Sequence, residues 1–553
     1  MKTVCLCGTR NIYSDMISAI KSVLKNTSAD RIYLLIEDDE FPEWLPSKCH
    51  CINVSDQDLF DETGPNYKSH WTYMSMMMCG LTKYIPDEKV LYLDYDVIVM
   101  DDISELWDMD MTDYYFAAGI EPNRSRKNYI YCNTGVVMFN LDKLRKDHKD
   151  DEAIRLLNTR EYRYPDQDVM NDVCQGNILV LDPMYGHTLV GCTPKSKHPK
   201  IKHYAGMKKW QTSPRVRKYR DMKWKDILPV VLFTSNRSLG RAENITAVWN
   251  AYEGDKRFSP IGKNRTSREI EDGDYSLIVA DEPVARAKAP EIVIFHGAAL
   301  GKTYLLQRQH NKTDKNVQDA LNHIKYAVTS SDTTAAMTMT AFQCGLKPDQ
   351  VLPLGMPRMD ELLIEDSRKG NPMFSKYRRV YLYAPTYRNL NGNELPDIDL
   401  KRIDSLLHND ELFIVKPHMV MADSYYWGMD FRHITVVSNK VQSNPYLLNA
   451  DVLVTDYSSI MMDAHVAGIP VVLFEKDYDT YKEEIGMCMA YPDGYASRHT
   501  QDEEELVKLI RDAAEHGQGK EDIACREIAA NKCDGHATER VVKLIEETLN
   551  EVG

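Results

Sequence analysis

The strongest constraint in this sequence is a rhythm that starts twice. Short apolar runs that end in polar or charged residues alternate with segments of helical periodicity. Residues 3–7 and 31–36 read as buried strands around a helix expected over 14–24. A third run, 90–99, follows a helical segment around 71–84 and carries acidic residues toward its end. The rhythm begins afresh at 228–234, after a basic and aromatic stretch over 208–224, with a helix expected at 243–252. Further strands are expected at 275–280, 291–295, 326–329, 380–383, 412–415, 452–455 and 471–474. Alternation of this kind builds mostly parallel sheets with ligands at the carboxyl ends of the strands. A chain of 553 residues is too long for one core. We therefore expect an α/β protein with domains over 1–225, 226–375 and 376–553.

The formal charge of -15 argues against nucleic acid as a partner, although a local basic groove could hold an anionic donor. No run approaches the roughly 20 apolar residues of a membrane span, and the N-terminus does not read as a signal peptide. A cytoplasmic location is expected, compatible with peripheral association at the inner face of the membrane. The 12 cysteines, Cys5/Cys7 and Cys49/Cys51 among them, lack the paired spacing of zinc sites and read as reduced thiols.

Two constellations carry chemistry. The first is Asp94-Tyr95-Asp96, whose carboxylates repel one another unless a cation or a solvated loop relieves them. Alone, this pattern fits a solvated strand end as well as a metal site. It is followed by Asn133-Thr134-Gly135-Val136 with Phe139-Asn140-Leu141, by Pro165-Asp166-Gln167-Asp168, and by His203-Tyr204-Ala205-Gly206-Met207-Lys208. In this order and spacing, residues 1–225 resemble the retaining glycosyltransferases of family 8, the group of glycogenin and bacterial lipooligosaccharide galactosyltransferases.

That resemblance implies a GT-A fold and a nucleotide-sugar donor, usually UDP-linked, with Mn2+ held by Asp94, Asp96 and His203. Lys208 would contact the same diphosphate, and Gln167 and Asp168 would lie near the reacting anomeric carbon. Two carboxylates and an imidazole leave positions open for diphosphate oxygens, and the cation neutralises charge growing on the leaving UDP. Tyr13 could stack on the base or simply pack, and Asp166 or Asp168 could instead cap a helix. Two positions depart from the family pattern: Met78 where an arginine is frequent, and Lys209 where proline is expected.

The second constellation centres on residues 451–474, read as strand, tight turn, helix and strand. The turn Tyr457-Ser458-Ser459 would aim backbone amides and two hydroxyls at one point, although a serine pair at a helix start is most often only a cap. Asp463, four residues past Ser459, shares that helix face and could reach a bound hydroxyl. His296-Gly297, Gly355-Met356-Pro357-Arg358, Ala384-Pro385-Thr386-Tyr387-Arg388 and Lys416-Pro417-His418 each follow an expected strand. With Thr455-Asp456-Tyr457-Ser458-Ser459 and Asp463, and in this order, they make residues 228–553 similar to the CDP-glycerol glycerophosphotransferases of teichoic acid and capsule synthesis.

This second resemblance implies a GT-B fold, two Rossmann-like domains with no cofactor, in which the second binds CDP-glycerol. His296 would be the general base on the acceptor hydroxyl. His418, Arg388, Thr455 and the Ser458-Ser459 turn would hold the diphosphate. Arg358 either braces the interdomain turn or meets phosphate. Ala298-Ala299 and Met359 depart from the family's usual residues near the acceptor.

Together these readings give a bifunctional transferase of a cell-surface polymer, with a glycan or polyol-phosphate acceptor that could be lipid-linked. The competing expectations are another CDP-polyol donor, a protein acceptor, and a glycan-binding scaffold with decayed transferase domains. The sequence assigns no oligomeric state.

Overall fold

The computed structural model describes residues 1–68, 72–188, 192–262, 265–295, 321–341, 345–364, 374–388, 397–419, 421, 429–484 and 490–552. Chain contacts divide it into two compact units, Met1–Leu228 and Pro229–Gly553.

The first unit is built on a seven-stranded sheet in the order β3-β2-β1-β4-β7-β6-β8. Its strands are β1 (Thr3–Cys7), β2 (Arg31–Ile36), β3 (Cys49–Asn53), β4 (Lys89–Leu93), β6 (Phe116–Ile120), β7 (Cys132–Asn140) and β8 (Ile178–Val180). Every residue of β1 is buried because neighbours flank it on both edges and both faces are covered, which is why its sequence shows a continuous apolar run rather than alternation. The helix expected at 14–24 spans Tyr13–Asn26, whereas the segment around 71–84 resolves into the helix Thr72–Met76 and a 3-10 stretch, Met77–Lys83. β7 runs antiparallel to both β4 and β6, so the sheet is mixed.

The run 90–99, expected as one strand, is two. β4 ends at Leu93 and β5 (Val97–Val99) belongs to a separate three-stranded sheet with β10 (Ile201–His203) and β9 (His187–Thr188). The acidic tripeptide Asp94-Tyr95-Asp96 is the turn between them. Three consecutive polar residues cannot continue into a buried strand without stranding their side chains, so the chain leaves the large sheet there.

The second unit holds two six-stranded, wholly parallel sheets. The first has the order β12-β11-β13-β14-β15-β16, with β11 (Val231–Ser235), β12 (Lys256–Pro260), β13 (Leu277–Ala280), β14 (Glu291–Ile294), β15 (Ile324–Thr329) and β16 (Val351–Pro353). The second has the order β19-β18-β17-β20-β21-β22, with β17 (Arg379–Tyr383), β18 (Glu411–Val415), β19 (Ile434–Val436), β20 (Val452–Thr455), β21 (Val471–Phe474) and β22 (Arg498–Thr500). These are doubly wound, Rossmann-like sheets, so the chain has the GT-A-then-GT-B plan that the motif resemblances imply.

The two halves of the second unit share one apolar cluster that includes Val231, Ile292, Leu382 and Leu453. The chain's last helix, Ala537–Val552, returns to the first half: Arg540 Nε donates to Leu354 O at 2.7 Å and the Ala537 N–H to Asp360 Oδ1 at 3.1 Å. The helix that is latest in sequence therefore packs on the first half of the unit.

Candidate active sites

In the first unit, β10 pairs antiparallel with β5 so that His203 lies opposite Val97, next to Asp96. That register carries a histidine from late in the unit onto the acidic turn. His203 Nε2 lies 3.3 Å from Asp94 Oδ2 and 3.1 Å from Asp96 Oδ1, with Nδ1 turned away toward Asn133. One ligand atom from each of Asp94, Asp96 and His203 falls within 4.8 Å of the others. Burial works against a charge on His203, but Asp96 and Asp94 outweigh it and hold its pKa up at about 10. The three therefore form a set short of positive charge.

The donor chemistry fits a hard or borderline divalent cation. The backbone fits as well: a Cβ on Gly135 would lie 2.0 Å from His203 Cε1, so only glycine lets the imidazole sit where it does. Asp166, beside this set, accepts from Thr134 Oγ1 at 3.0 Å. Its carboxyl is pushed up to about 7 by burial and then by repulsion from Asp94.

The remaining expected residues of this unit fall as follows. Gln167 is half-buried, accepting from the Thr134 N–H at 3.2 Å and donating to Glu121 and Tyr131. Asp168 accepts from the Tyr131 hydroxyl and from the Tyr164 N–H at 2.9 Å, so it does secure the start of the helix Pro165–Val173. Lys208 is exposed on the turn after His203. Lys209 adopts φ 64, a left-handed conformation closed to proline, so this turn departs in shape as well as sequence. Met78 is buried in the unit's apolar core and brings no charge to the site. Tyr13 is buried too, its ring against Phe41 and its hydroxyl bonded to Asp38 and the Glu37 N–H.

In the second unit the strand order reverses between β17 and β20, where doubly wound sheets open a crevice for ligands. Ala384–Arg388 leaves β17 and Asp456–Ser459 leaves β20 on either side of that point. Ser459 stands at the start of the helix Ile460–Val466 without making a side-chain cap, so the usual use of such a serine is not realised.

Arg388 differs from expectation. Its Nη2 lies 2.8 Å from Asp456 Oδ2 and its Nε meets Asp477, and its side chain is only 9% exposed. A guanidinium held by two carboxylates shapes the turn rather than offering a free cation. Thr455 is likewise committed, its buried hydroxyl donating to Ala384 O at 2.7 Å. Asp463 is not directed at an open position either: it pairs with Arg358 Nη2 at 2.8 Å, and burial pushes it up to about 6 in spite of that partner. Arg358 also approaches Glu243 at 3.7 Å and thus ties the two halves together.

His418 is half-buried against Tyr387, ring centroids 4.8 Å apart. Burial, then Arg237 and Lys416, push its pKa down to about 4, so it is neutral at pH 7. His296, with Ala298 and Ala299, lies outside the described residues.

Two residues escaped the sequence reading. Glu121, buried at the end of β6, bonds both Gln167 and Asn133. Arg237, just past β11, adds positive charge near His418 from the other half. Both follow the rule that polar residues closing an apolar strand are site candidates. Phe116–Ile120 hid Glu121 because its alanines and glycine do not read as a strand.

Segments of both units are similar to known families. Residues 3–213 match the model of glycosyl transferase family 8, and residues 278–547 match that of CDP-glycerol:poly(glycerophosphate) glycerophosphotransferase. The teichoic acid glycerol-phosphate primase of Bacillus subtilis is 28% identical over 207 residues, 37% of this chain and 53% of that protein. A putative glycosyltransferase of Haemophilus influenzae is 31% identical over 137 residues, 22% of this chain and 41% of that one. The teichoic acid ribitol-phosphate polymerase TarL of Staphylococcus aureus is 24% identical over 332 residues, 56% of this chain and 57% of that one. The chain spans about half the length of the curated relatives it matches. One polypeptide thus carries a segment that matches glycosyl transferase family 8 and, after it, a segment that matches the CDP-glycerol:poly(glycerophosphate) glycerophosphotransferases.

Proposed function

We propose that the chain is a two-headed transferase of cell-surface polymer synthesis. Its first unit transfers a sugar, with retention, from a UDP-linked donor. Its second transfers glycerol phosphate from CDP-glycerol to a polymer hydroxyl and releases CMP. The observation that carries this reading is the Asp94-Asp96-His203 cluster in the unit that matches family 8, joined to a serine turn at the switch point of the unit that matches the glycerophosphotransferases.

In the first unit Asp94, Asp96 and His203 would hold Mn2+, which supplies charge neutralisation for the departing UDP. Lys208 binds the same diphosphate from its exposed turn, and Gln167 and Asp168 orient the sugar. Tyr13 supports the nucleotide pocket from behind, through the buried bonds to Asp38 and Glu37.

In the second unit the hydroxyls and amides of Ser458 and Ser459 bind the donor diphosphate. His296 takes the proton of the acceptor hydroxyl, whose oxygen attacks the phosphorus bearing glycerol as the bond to CMP breaks. Being neutral, His418 contributes a hydrogen bond rather than a charge. Arg388, Thr455 and Asp463 act indirectly, by fixing the two turns and the halves that present them.

The acceptor is a glycan or polyol phosphate at the membrane's inner face. CDP-ribitol is the second candidate donor, favoured by the ribitol-phosphate polymerase among the relatives. The test is to supply UDP-sugars, CDP-glycerol and CDP-ribitol separately and to follow UDP and CMP release with Mn2+ or with EDTA. EDTA should silence UDP release alone. Equal loss of CMP release would overturn the division of labour, and no CMP from either polyol donor would overturn the reading of the second unit.

A further inference from the structure

We infer that Asn133 and Glu121 are positioning residues for the cation site, because together they fix which ring nitrogen of His203 is left to ligate. This rests on the metal-dependent reading of the first unit. His203 presents Nε2 to Asp94 and Asp96, whereas its Nδ1 lies 3.0 Å from Asn133 Oδ1. An imidazole ligates through the nitrogen that lacks hydrogen, so the atom opposite Nδ1 decides the outcome.

The oxygen and nitrogen of a side-chain amide have the same shape, but here the backbone tells them apart. The Gly135 N–H donates to the same Asn133 atom at 3.2 Å, and an N–H cannot donate to an amide NH2. That atom is therefore oxygen. Having no hydrogen, it can only accept from Nδ1. Nδ1 keeps its hydrogen, so Nε2 is the nitrogen that gives up its proton to a cation held between the two carboxylates.

Glu121 holds the other end of the amide. Asn133 Nδ2 donates to Glu121 Oε1 at 3.2 Å and to Gln167 Oε1 at 3.1 Å. Gln167 is oriented in the same way: its oxygen accepts from the Thr134 N–H at 3.2 Å, and its Nε2 donates to Glu121 Oε1 at 3.3 Å. Glu121 is buried at 6% exposure and as a carboxylate can only accept. Turning Asn133 over would set its oxygen against that carboxylate and its NH2 against the Gly135 N–H. Two mismatches at once lock the amide, and through it the imidazole.

The test measures Mn2+ binding to the full chain by electron paramagnetic resonance of the free ion, with no substrate present. Asn133→Leu, similar in shape but without an acceptor, should weaken Mn2+ binding about 10–100-fold, the usual effect of losing an outer-shell partner. Glu121→Ala should weaken it by a smaller factor, on the order of threefold to tenfold, and Glu121→Gln, which can still present an oxygen to Asn133, should stay within about twofold of the wild type. The Glu121 pair keeps the inference testable if Asn133→Leu does not fold, because a purely structural role would not separate alanine from glutamine in metal affinity at equal thermal stability. Wild-type binding of Mn2+ with unchanged affinity in Asn133→Leu, or in Glu121→Ala, overturns this inference alone. No Mn2+ binding by the wild type overturns the reading of the first unit and this inference with it.

Discussion

The two units use carboxylates in opposite ways. In the first, Asp94 and Asp96 face each other and His203, and among the described residues no arginine or lysine pairs with them. In the second, Asp456 and Asp477 share Arg388, Asp463 meets Arg358, and Glu411 meets Arg511. Where an arginine meets the carboxylate the pair acts as a brace, whereas Asp94 and Asp96 are left open to a cation from outside. The same side chain thus belongs to a candidate cation site in one unit and to a joint in the other.

The contrast is broken most sharply at Asp96. Asp96→Asn removes one of the two negative ligands, and metal-dependent UDP release should be lost while CMP release and the unfolding profile stay as in the wild type. Parallel loss of both activities in a folded variant would show that the sites are coupled. Next in size is Arg358→Met, which leaves the Asp463 carboxylate buried and unpaired. Stranding one partner of a buried pair costs about 3–5 kcal/mol, so urea unfolding of the second unit should shift strongly toward lower denaturant. Arg358→Met combined with Asp463→Leu should recover much of the loss. If the single variant unfolds with the wild type, Arg358 is no brace.

The smallest effect is conditional on pH. Burial alone would raise the pKa of Glu411, but Arg511 at 2.7 and 2.9 Å, the His408 N–H at 2.8 Å and the Tyr381 hydroxyl at 2.9 Å hold it at about 2. Its pKa in the unfolded chain is about 4.3, so its contribution is complete above that value and is lost as pH falls toward 2. The gap corresponds to about 3 kcal/mol. Glu411→Gln should therefore be less stable than the wild type at pH 7 by up to that amount, and the two should converge near the lower limit. A constant difference across this range would deny the linkage.

Much of this design was legible in the sequence. Strands covered on both faces, such as β20 and β21, announce themselves as apolar runs, and the acidic turn and the serine turn stand where those runs stop. What stayed hidden has physical reasons. Edge strands such as β12 and β19 are partly exposed and carry no continuous apolar run. Where β5 goes after the break at Asp94–Asp96 is invisible until β10 arrives, because its pairing partner comes from late in the unit. The occupation of Arg388 by Asp456 and Asp477 depends on three loops meeting, and no local signal encodes it. Asp463 read as a ligand contact for the same reason, since its partner Arg358 comes from the other half.

The pairing of β5 with β10 also sets an order of events. His203 is supplied by nearly the last strand of its unit, while Asp94 and Asp96 precede it by most of a domain. On the ribosome the acidic turn emerges first and waits, its two carboxylates uncompensated, until β10 has been made and has closed a long loop against β5. The Asp94-Asp96-His203 cluster is thus completed late in the synthesis of its unit and before most of the second unit exists. A nascent chain stalled before residue 203 would display the acidic turn without its imidazole ligand, and full chelation would mark a first unit that has already closed.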